Sequence, residues 1–226
     1  LLSTPWNRYP DAYAKELEEL LSSYLGLQKN QVLLSPGSNV LITLLLSHLG
    51  AKVEDKIVLL SPSFPLFAEH LLKTGKDFTP WYLNKKDFSF DLDNISVSTK
   101  KRSLIIFASP NNPTGSHLAK KDLETLLKTY PNSYIIADEA YYEFTDESYQ
   151  TLLKTYDNLI ILRTFSKTLA AAGLRLGYML ASEKLCYQIR KVILPFMLNH
   201  FTILAACEAL KNSDMKKFIT SHLKFV

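Results

Sequence analysis

Along most of the chain, short continuous apolar runs alternate with longer segments in which apolar residues recur every three or four positions. Four short runs rich in Ile, Leu and Val have no polar alternation, which predicts strands buried on both faces. These runs are Ile57–Leu60, Leu104–Ala108, Tyr134–Ala137 and Leu159–Leu162. Segments with apolar residues three or four positions apart predict helices. These segments are Tyr13–Leu25, Asn39–Leu49, Leu66–Thr74 and Lys120–Thr129. Strands that alternate with helices predict an α/β fold with a mainly parallel, doubly wound sheet and helices on both faces.

The ends of this pattern add a helix cap, one reversed strand and a helical tail. Ser38 precedes the second helical segment and is predicted to be its N-cap. Arg175–Leu180 closely follows Gly173 and is predicted to be a short strand that turns back antiparallel to the others. From Glu183 the pattern is helical, Pro195 interrupts it, and a second helix is predicted from about Phe201 to the end.

Composition narrows the class of protein. The chain has 226 residues, of which 47% are hydrophobic and 21% charged, and its net charge is +4. Its lysines are dispersed, which argues against nucleic-acid binding. No apolar run is long enough to cross a bilayer and no signal peptide is visible, so we expect no membrane partner. Cys186 and Cys207 lie in apolar helical patterns and are predicted to be buried thiols, as in a cytoplasmic protein. The five histidines have no metal-ligand spacing, so no metal site is expected.

Polar clusters follow the predicted strands at their carboxyl ends. They are Ser109–Gly115, Asp138–Tyr141, Arg163–Lys167 and Gly173–Gly177. Each cluster alone is compatible with an ordinary turn, a helix cap or a surface charge. In open parallel sheets, however, ligands bind beyond the carboxyl ends of the strands, so four clusters in this order predict a ligand site.

The same clusters resemble a known family. S-P-N-N-P-T-G from Ser109, D-E-A-Y from Asp138 and R-T-F-S-K-x₇-R-x-G from Arg163 resemble the pyridoxal-phosphate (PLP) dependent aminotransferases of classes I and II, which have PLP fold type I. Within that family they are most similar to the histidinol-phosphate aminotransferase group. N-R-Y-P-D from Asn7 and S-P-S-F-P-L-F from Ser61 are similar to the same group.

The resemblance implies a domain division and an activity. Residues 1–194 would form the PLP-binding large domain, and residues 195–226 would begin a C-terminal small domain that is largely absent. The implied enzyme is a transferase of histidine and amino-acid biosynthesis. It would move the amino group of L-histidinol phosphate, or of another amino acid or amino-alcohol phosphate, to a 2-oxo acid such as 2-oxoglutarate. The substrate-binding arginines of the family lie in its C-terminal domain, so this sequence does not identify the substrate.

Two other readings stay open at this stage. Residues 195–199 also resemble L-threonine-O-3-phosphate decarboxylases, which share the fold and the PLP site. That reading includes another class I aminotransferase specificity. The second is a non-catalytic PLP-binding or truncated module.

The resemblance assigns the reacting end of the cofactor to a few residues. Lys167 would carry PLP as an imine and then move the substrate α-proton as a general base. Asp138 would pair with the pyridine nitrogen and keep it protonated. Tyr141 and Asn112 would donate hydrogen bonds to the phenolic oxygen. Asn112 is chosen over Asn111 because the family's ligand is the Asn that precedes Pro.

The phosphate of PLP would be held by cations, hydroxyls and a helix N-terminus. Arg175 would provide the charge, and Thr164 and Ser166 the hydroxyls. Ser38 and Asn39 open a helix, where free N–H groups favour an anion. A plain helix cap is the alternative for this pair, and Asn39 stands where the family often has Asp.

Two aromatic residues complete the implied site. Phe64 matches the residue that stacks on the PLP ring, and a core aromatic is its alternative role. Tyr9 matches a residue that reaches the partner's PLP phosphate in a homodimer, and local packing is its alternative. Glu139 is expected to point away from the site, as neighbours in an extended segment do.

Overall fold

The computed structural model describes residues 7–145, 147–167, 169–212 and 221. Its strands are β1 (Val32–Ser35), β2 (Ile57–Ser61), β3 (Thr79–Tyr82), β4 (Leu104–Ala108), β5 (Tyr134–Asp138), β6 (Leu159–Thr164) and β7 (Gly177–Ala181). Its α-helices are α1 (Lys15–Leu25), α2 (Ser38–Gly50), α3 (Pro65–Lys73), α4 (Lys120–Thr129), α5 (Glu183–Arg190) and α6 (His200–Lys211). The four predicted buried runs therefore form β2, β4, β5 and β6.

The seven strands form one sheet in the order β1-β7-β6-β5-β4-β2-β3. β7 pairs antiparallel with both of its neighbours, and the other pairings in the sheet are parallel. This confirms the predicted doubly wound sheet with one antiparallel member. This strand order brings the carboxyl ends of β4, β5 and β6 side by side at one end of the sheet.

Each face of the sheet carries its own hydrophobic core because successive strand residues point to opposite faces. In β4, Ile105 and Phe107 belong to the core to which α1, α4 and α6 contribute, whereas Leu104 and Ile106 belong to the core to which α2, α3 and α5 contribute. Burial on both faces explains why β4 has no polar position. Cys186 and Cys207 are buried free thiols, as predicted.

Two short strands were missed in the sequence. β1 has only four residues, too few to show a period. β3 contains Pro80 and an exposed Tyr82, and it pairs with β2 alone at the sheet edge. Pro cannot donate a ladder hydrogen bond and is therefore tolerated at an edge. Without the structure, such a segment is indistinguishable from a loop.

Several predicted boundaries were wrong for reasons of backbone conformation. Ser38 is the first residue of α2 and not its N-cap, because the capping position falls on Gly37 with φ 76°. That conformation suits Gly, which has no Cβ. α1 begins after Ala14, which has φ 51°. The antiparallel strand begins two residues later than predicted, because Arg175 has φ 50° and cannot join a ladder.

The helical tail is described as far as residue 212. α6 packs against the core that contains Ile105 and Phe107, to which it contributes Ala206 and Cys207. The predicted continuation of this helix to the end lies outside the described residues, and the domain boundary near residue 195 stays a prediction. No helix in the described part of the chain is long and apolar enough to span a membrane.

Candidate active site

A cleft of about 220 Å³ opens at the carboxyl ends of β4, β5 and β6, beside the start of α2. Every residue predicted to bind the cofactor lines it except Tyr9. The lining residues are Ser38, Asn39, Phe64, Ala108, Pro110, Asn112, Asp138, Ala140, Tyr141, Thr164, Ser166, Lys167, Ala172 and Arg175. The four others are small or apolar. Pro110 and Ala140 belong to polar clusters that predicted the site, whereas nothing in the sequence pattern pointed to Ala108 or Ala172.

Asp138 is a buried carboxylate at the floor of this cleft, with 5% of its surface exposed. Its Oδ1 accepts a hydrogen bond from the Ala140 N–H at 3.0 Å. Within the described residues, Oδ2 has no donor. Burial raises the pKa of Asp138 to about 7, with a further upward effect from Glu139 and opposing effects from the Ala140 N–H and Lys167. The cleft therefore holds a carboxylate that lacks the cationic donor its buried position requires.

The raised pKa of Asp138 makes Asp138→Asn a test of its environment in the cofactor-free protein. The folded state binds this proton more tightly than the unfolded chain, so the carboxyl lowers the free energy of unfolding as pH rises from 3.8 towards about 7. Asn carries no such proton. We expect the free energy of unfolding of Asp138→Asn, relative to that of the wild type, to increase by about 2–3 kcal/mol when the pH is raised from about 5 to about 8. Urea unfolding at the two pH values measures this gain.

Asp55→Asn is the matched control for that measurement. Asp55 accepts hydrogen bonds from the Ser98 N–H at 2.7 Å and the Ser103 hydroxyl at 3.1 Å. These contacts lower its pKa, led by the Ser98 N–H, so it is ionised throughout this range. Asp55→Asn should lose the same stability at both pH values. A pH-independent difference for Asp138→Asn would show that Asp138 is not desolvated.

Lys167 lies on the loop after β6 with its amine in the cleft. Its Nζ is 5.4 Å from the centroid of the Tyr141 ring and forms no ion pair with any described carboxylate. The loop is closed by a 2.8 Å hydrogen bond from the Ala170 N–H to the Lys167 carbonyl oxygen. A lysine that faces a cleft and has no carboxylate partner can act as a nucleophile there.

The two neighbouring asparagines have different environments. Asn111 is buried, and its Nδ2 donates to the Pro62 carbonyl oxygen at 2.9 Å and to Thr114 Oγ1 at 2.8 Å. Its Oδ1 accepts from the Ser63 hydroxyl at 2.8 Å. Asn112 instead lines the cleft. The structure thus separates a residue that holds the loop, Asn111, from one that lines the cleft, and the role of Asn112 as a ligand of the cofactor stays a prediction.

The other end of the cleft is arranged for an anion. Among the described residues, the Arg175 side chain makes one hydrogen bond, from Nη1 to the Ala172 carbonyl oxygen at 3.3 Å, and no ion pair with a carboxylate. A Cβ on Gly37 would lie 2.7 Å from Arg175 Nη2, so the guanidinium rests against the start of α2. The first N–H groups of a helix have no partner within it and attract anions. Arginine and helix N-terminus therefore face the same space.

Gly177 allows this close approach and was not recognised as part of the site. A Cβ there would lie 2.2 Å from the Ser38 backbone nitrogen and 2.4 Å from the Gly37 carbonyl carbon. The start of β7 thus passes directly beneath the start of α2. The R-x-G spacing was visible in the sequence, but the steric reason for its glycine was not.

Two hydroxyls lie beside this anion-binding end. Thr164 Oγ1 donates to Ser166 Oγ at 3.0 Å and accepts from the Ser166 N–H at 3.1 Å. Both residues line the cleft. Phe64 lines it as well and also packs edge-on against Phe67, with ring centroids 6.2 Å apart. The Phe64 ring therefore lines the cleft and also packs against the core that contains Leu104 and Ile106.

Tyr9 lies outside the cleft. Its side chain is 81% exposed, and its ring centroid is 4.9 Å from that of Phe196. A role at a partner's site stays a prediction.

No group of His, Cys, Asp and Glu among the described residues could hold a metal ion, and His222 lies outside them.

Comparison with known proteins agrees with this geometry. The profile of the family described as Aminotransferase class I and II matches residues 1–224. The chain belongs to the class I and II aminotransferase family. The sheet of this chain is that of PLP fold type I. In open α/β sheets, ligands bind beyond the carboxyl ends of the strands.

Individual proteins extend the comparison. Histidinol-phosphate aminotransferase from Pyrococcus furiosus is 35% identical over 212 residues, which are 94% of this chain and 61% of that protein. The solved histidinol-phosphate aminotransferase from Clostridium acetobutylicum is 28% identical with a TM-score of 0.83, covering 96% of this chain and 64% of that one. L-threonine-O-3-phosphate decarboxylase from Porphyromonas gingivalis is 21% identical with a TM-score of 0.78, covering 94% and 62%. The last likeness shows a shared fold only.

The chain spans about three fifths of the length of the curated relatives it matches. Those relatives therefore contain a part with no counterpart in this sequence.

Proposed function

We propose that the chain binds PLP in this cleft through Lys167 and is the cofactor-binding part of an aminotransferase of the histidinol-phosphate type. Asp138 carries the proposal. It is a buried carboxylate with a raised pKa, and its Oδ2 has no donor among the described residues. A protonated pyridine nitrogen has the charge and the single N–H that such an oxygen lacks.

The residues around Asp138 fit the rest of the reacting ring. When bound, PLP supplies an electron sink for the bond electrons released at the substrate α-carbon. Asp138 would hold a proton at the pyridine nitrogen, and Asn112 Nδ2 and the Tyr141 hydroxyl would donate to the phenolic oxygen. Phe64 would cover one face of the ring and exclude water. Lys167 would hold the cofactor's aldehyde carbon and, once displaced by the substrate amine, move the α-proton as a general base.

The anion-binding end fits the phosphate. Arg175 offers a guanidinium that no described carboxylate neutralises. The N–H groups at the start of α2, with Ser38 and Asn39, and the hydroxyls of Thr164 and Ser166 add neutral donors. The cleft thus has the Asp138 carboxylate at one end and, at the other, the Arg175 guanidinium for the phosphate. Lys167 lies between these two residues in the sequence.

The substrate assignment has a separate basis. The identity of 35% to a histidinol-phosphate aminotransferase favours L-histidinol phosphate as amino donor. The family resemblance implies 2-oxoglutarate as the acceptor. The likeness to the threonine-phosphate decarboxylase is at 21% identity and favours no second activity. A cytoplasmic homodimer in histidine biosynthesis, with Tyr9 reaching the partner's phosphate site, completes the proposal.

Chemical trapping tests the site. The purified chain is saturated with PLP, treated with borohydride, digested and analysed by mass spectrometry. We expect one reduced PLP adduct, on the peptide that contains Lys167. An adduct on another lysine, or none in saturated protein, would refute the assignment. L-histidinol phosphate added to the loaded, unreduced protein should then release its oxo product and leave its amino group on the cofactor, whereas release of CO₂ from L-threonine O-3-phosphate would favour the decarboxylase.

A further inference from the structure

Glu139 and Arg163 form a buried ion pair directly behind the cleft, which the proposed chemistry does not use. Each side chain is 1% exposed. Arg163 Nε donates to Glu139 Oε2 at 2.8 Å, and Arg163 Nη2 lies 2.7 Å from the same oxygen. Glu139 follows Asp138 and Arg163 precedes Thr164, so both point away from the cleft, as expected for Glu139. The pair therefore joins the backbone positions next to two cleft residues.

The remaining donors and acceptors of the pair are also satisfied. Glu139 Oε1 accepts from the Tyr149 N–H at 2.7 Å. Arg163 Nη2 donates to the Ser148 hydroxyl at 2.6 Å and Nη1 to Gln150 Oε1 at 3.1 Å. The Arg163 guanidinium carbon lies 3.7 Å from the centroid of the Tyr142 ring. Arginine is suited to such a site because its planar group can donate in several fixed directions.

The network continues to the third strand end. The Tyr149 and Ser109 hydroxyls are 2.7 Å apart, and Ser109 Oγ also lies 2.9 Å from His117 Nδ1 and accepts from the Leu118 N–H at 3.0 Å. Ser109 directly follows β4 and begins the loop that carries Asn112. The polar network thus connects the ends of β4, β5 and β6 on the side opposite the cleft.

This connection acts where the sheet no longer does. Pairing of β5 with β6 ends at Asp138 and Leu162, and the last backbone hydrogen bond between them runs from the Glu139 N–H to the Leu162 carbonyl oxygen at 2.8 Å. Beyond that point one segment leads to Tyr141 and the other to Lys167. Even a buried ion pair with fully satisfied geometry, as here, contributes little net stability compared with apolar packing, so its place between two strand ends suggests a role in positioning.

We propose that the Glu139–Arg163 pair positions the two sides of the cleft, fixing Asp138 relative to Lys167. The inference rests on the proposed PLP site. It makes Glu139 and Arg163 positioning residues that act through their neighbours and do not touch the cofactor. Loss of the Glu139–Arg163 pair should then leave the bound PLP ring less firmly oriented, even in protein that remains folded.

Glu139→Gln, with Glu18→Gln as its matched control, tests this role. Glu18 is also buried, 3% exposed, and also pairs with an arginine, Arg190, but it lies on α1 and does not line the cleft. PLP affinity by titration, visible circular dichroism per bound PLP and the thermal midpoint are measured for both. We expect both variants to lose thermal stability. Only Glu139→Gln should bind PLP about tenfold more weakly and lose much of the dichroism.

Arg163→Lys is the second variant, in case Glu139→Gln does not fold. It retains the charge and loses the planar group, so it should also lower the dichroism. Wild-type affinity and dichroism in the folded variants, or equal losses in Glu18→Gln, would overturn the positioning role. The wild-type arm tests the proposed function separately, because a chain that gives no Lys167 adduct fails there before any variant is compared.

Discussion

Lys167→Ala should abolish covalent attachment of PLP, so that borohydride fixes no cofactor on the chain. The variant should still bind PLP reversibly, because Arg175, the start of α2 and Asp138 are unchanged. Loss of the amine also removes the general base, which is worth about 10²- to 10⁴-fold in the rate of proton transfer at the α-carbon. Mass spectrometry after reduction and a single-turnover assay with an amino donor measure the two effects.

Lys167→Arg separates the amine's chemistry from its charge. Arginine keeps a cation in the cleft near Tyr141, but its guanidinium stays protonated and is a poor nucleophile. We expect it to behave like Lys167→Ala in trapping. If either variant still acquired a reduced PLP adduct in saturated protein, another lysine would carry the cofactor.

The central strands and the cleft could be predicted because one physical feature determines both. β4, β5 and β6 are buried on both faces, so each appears as a continuous apolar run. The residue at which such a run ends marks the point where the chain reaches the sheet edge. Asn112, Asp138 and Lys167 follow three adjacent strand ends, so the topology alone brings them together. Their chemical roles came from the family resemblance and not from the pattern.

Contacts between distant residues could not be predicted in the same way. Glu139 was expected to point away from the cleft, but its partner Arg163 is 24 positions along the chain and was assigned only to a polar cluster. Asn111 and Ser63 are 48 positions apart. No period in the sequence relates such positions, since their separation depends on the sheet order and on loop lengths.

The N-terminus of α2 was predicted as an anion site for an incomplete reason. Ser38 was taken as the cap, whereas Gly37 occupies that position and Ser38 begins the helix. The helix N-terminus lies in the cleft because two glycines allow close packing, Gly37 against Arg175 and Gly177 against the backbone of Ser38. A steric requirement of this kind is visible only once the elements are packed.

Gly177→Ala should therefore be strongly destabilising although it adds a single methyl group. Its Cβ would lie 2.2 Å from the Ser38 nitrogen, 2.4 Å from the Gly37 carbonyl carbon and 2.9 Å from the Ser38 Cα. All three are backbone atoms, so no side-chain rotation relieves the contact, and β7 must separate from the start of α2. We expect a loss of about 3 kcal/mol in the free energy of unfolding. PLP affinity should also weaken, because the N–H groups of α2 would move away from Arg175.

Gly173→Ala is the matched control for Gly177→Ala. Gly173 lies in the loop before β7, four residues earlier than Gly177, and a Cβ there would meet no described atom within 4 Å. Urea unfolding and PLP titration of the two variants should therefore differ sharply, with Gly173→Ala close to the wild type. If Gly177→Ala were equally stable and bound PLP normally, β7 and α2 would not be in contact at this point. The anion-binding end of the cleft would then need another structural basis, because its geometry depends on this contact.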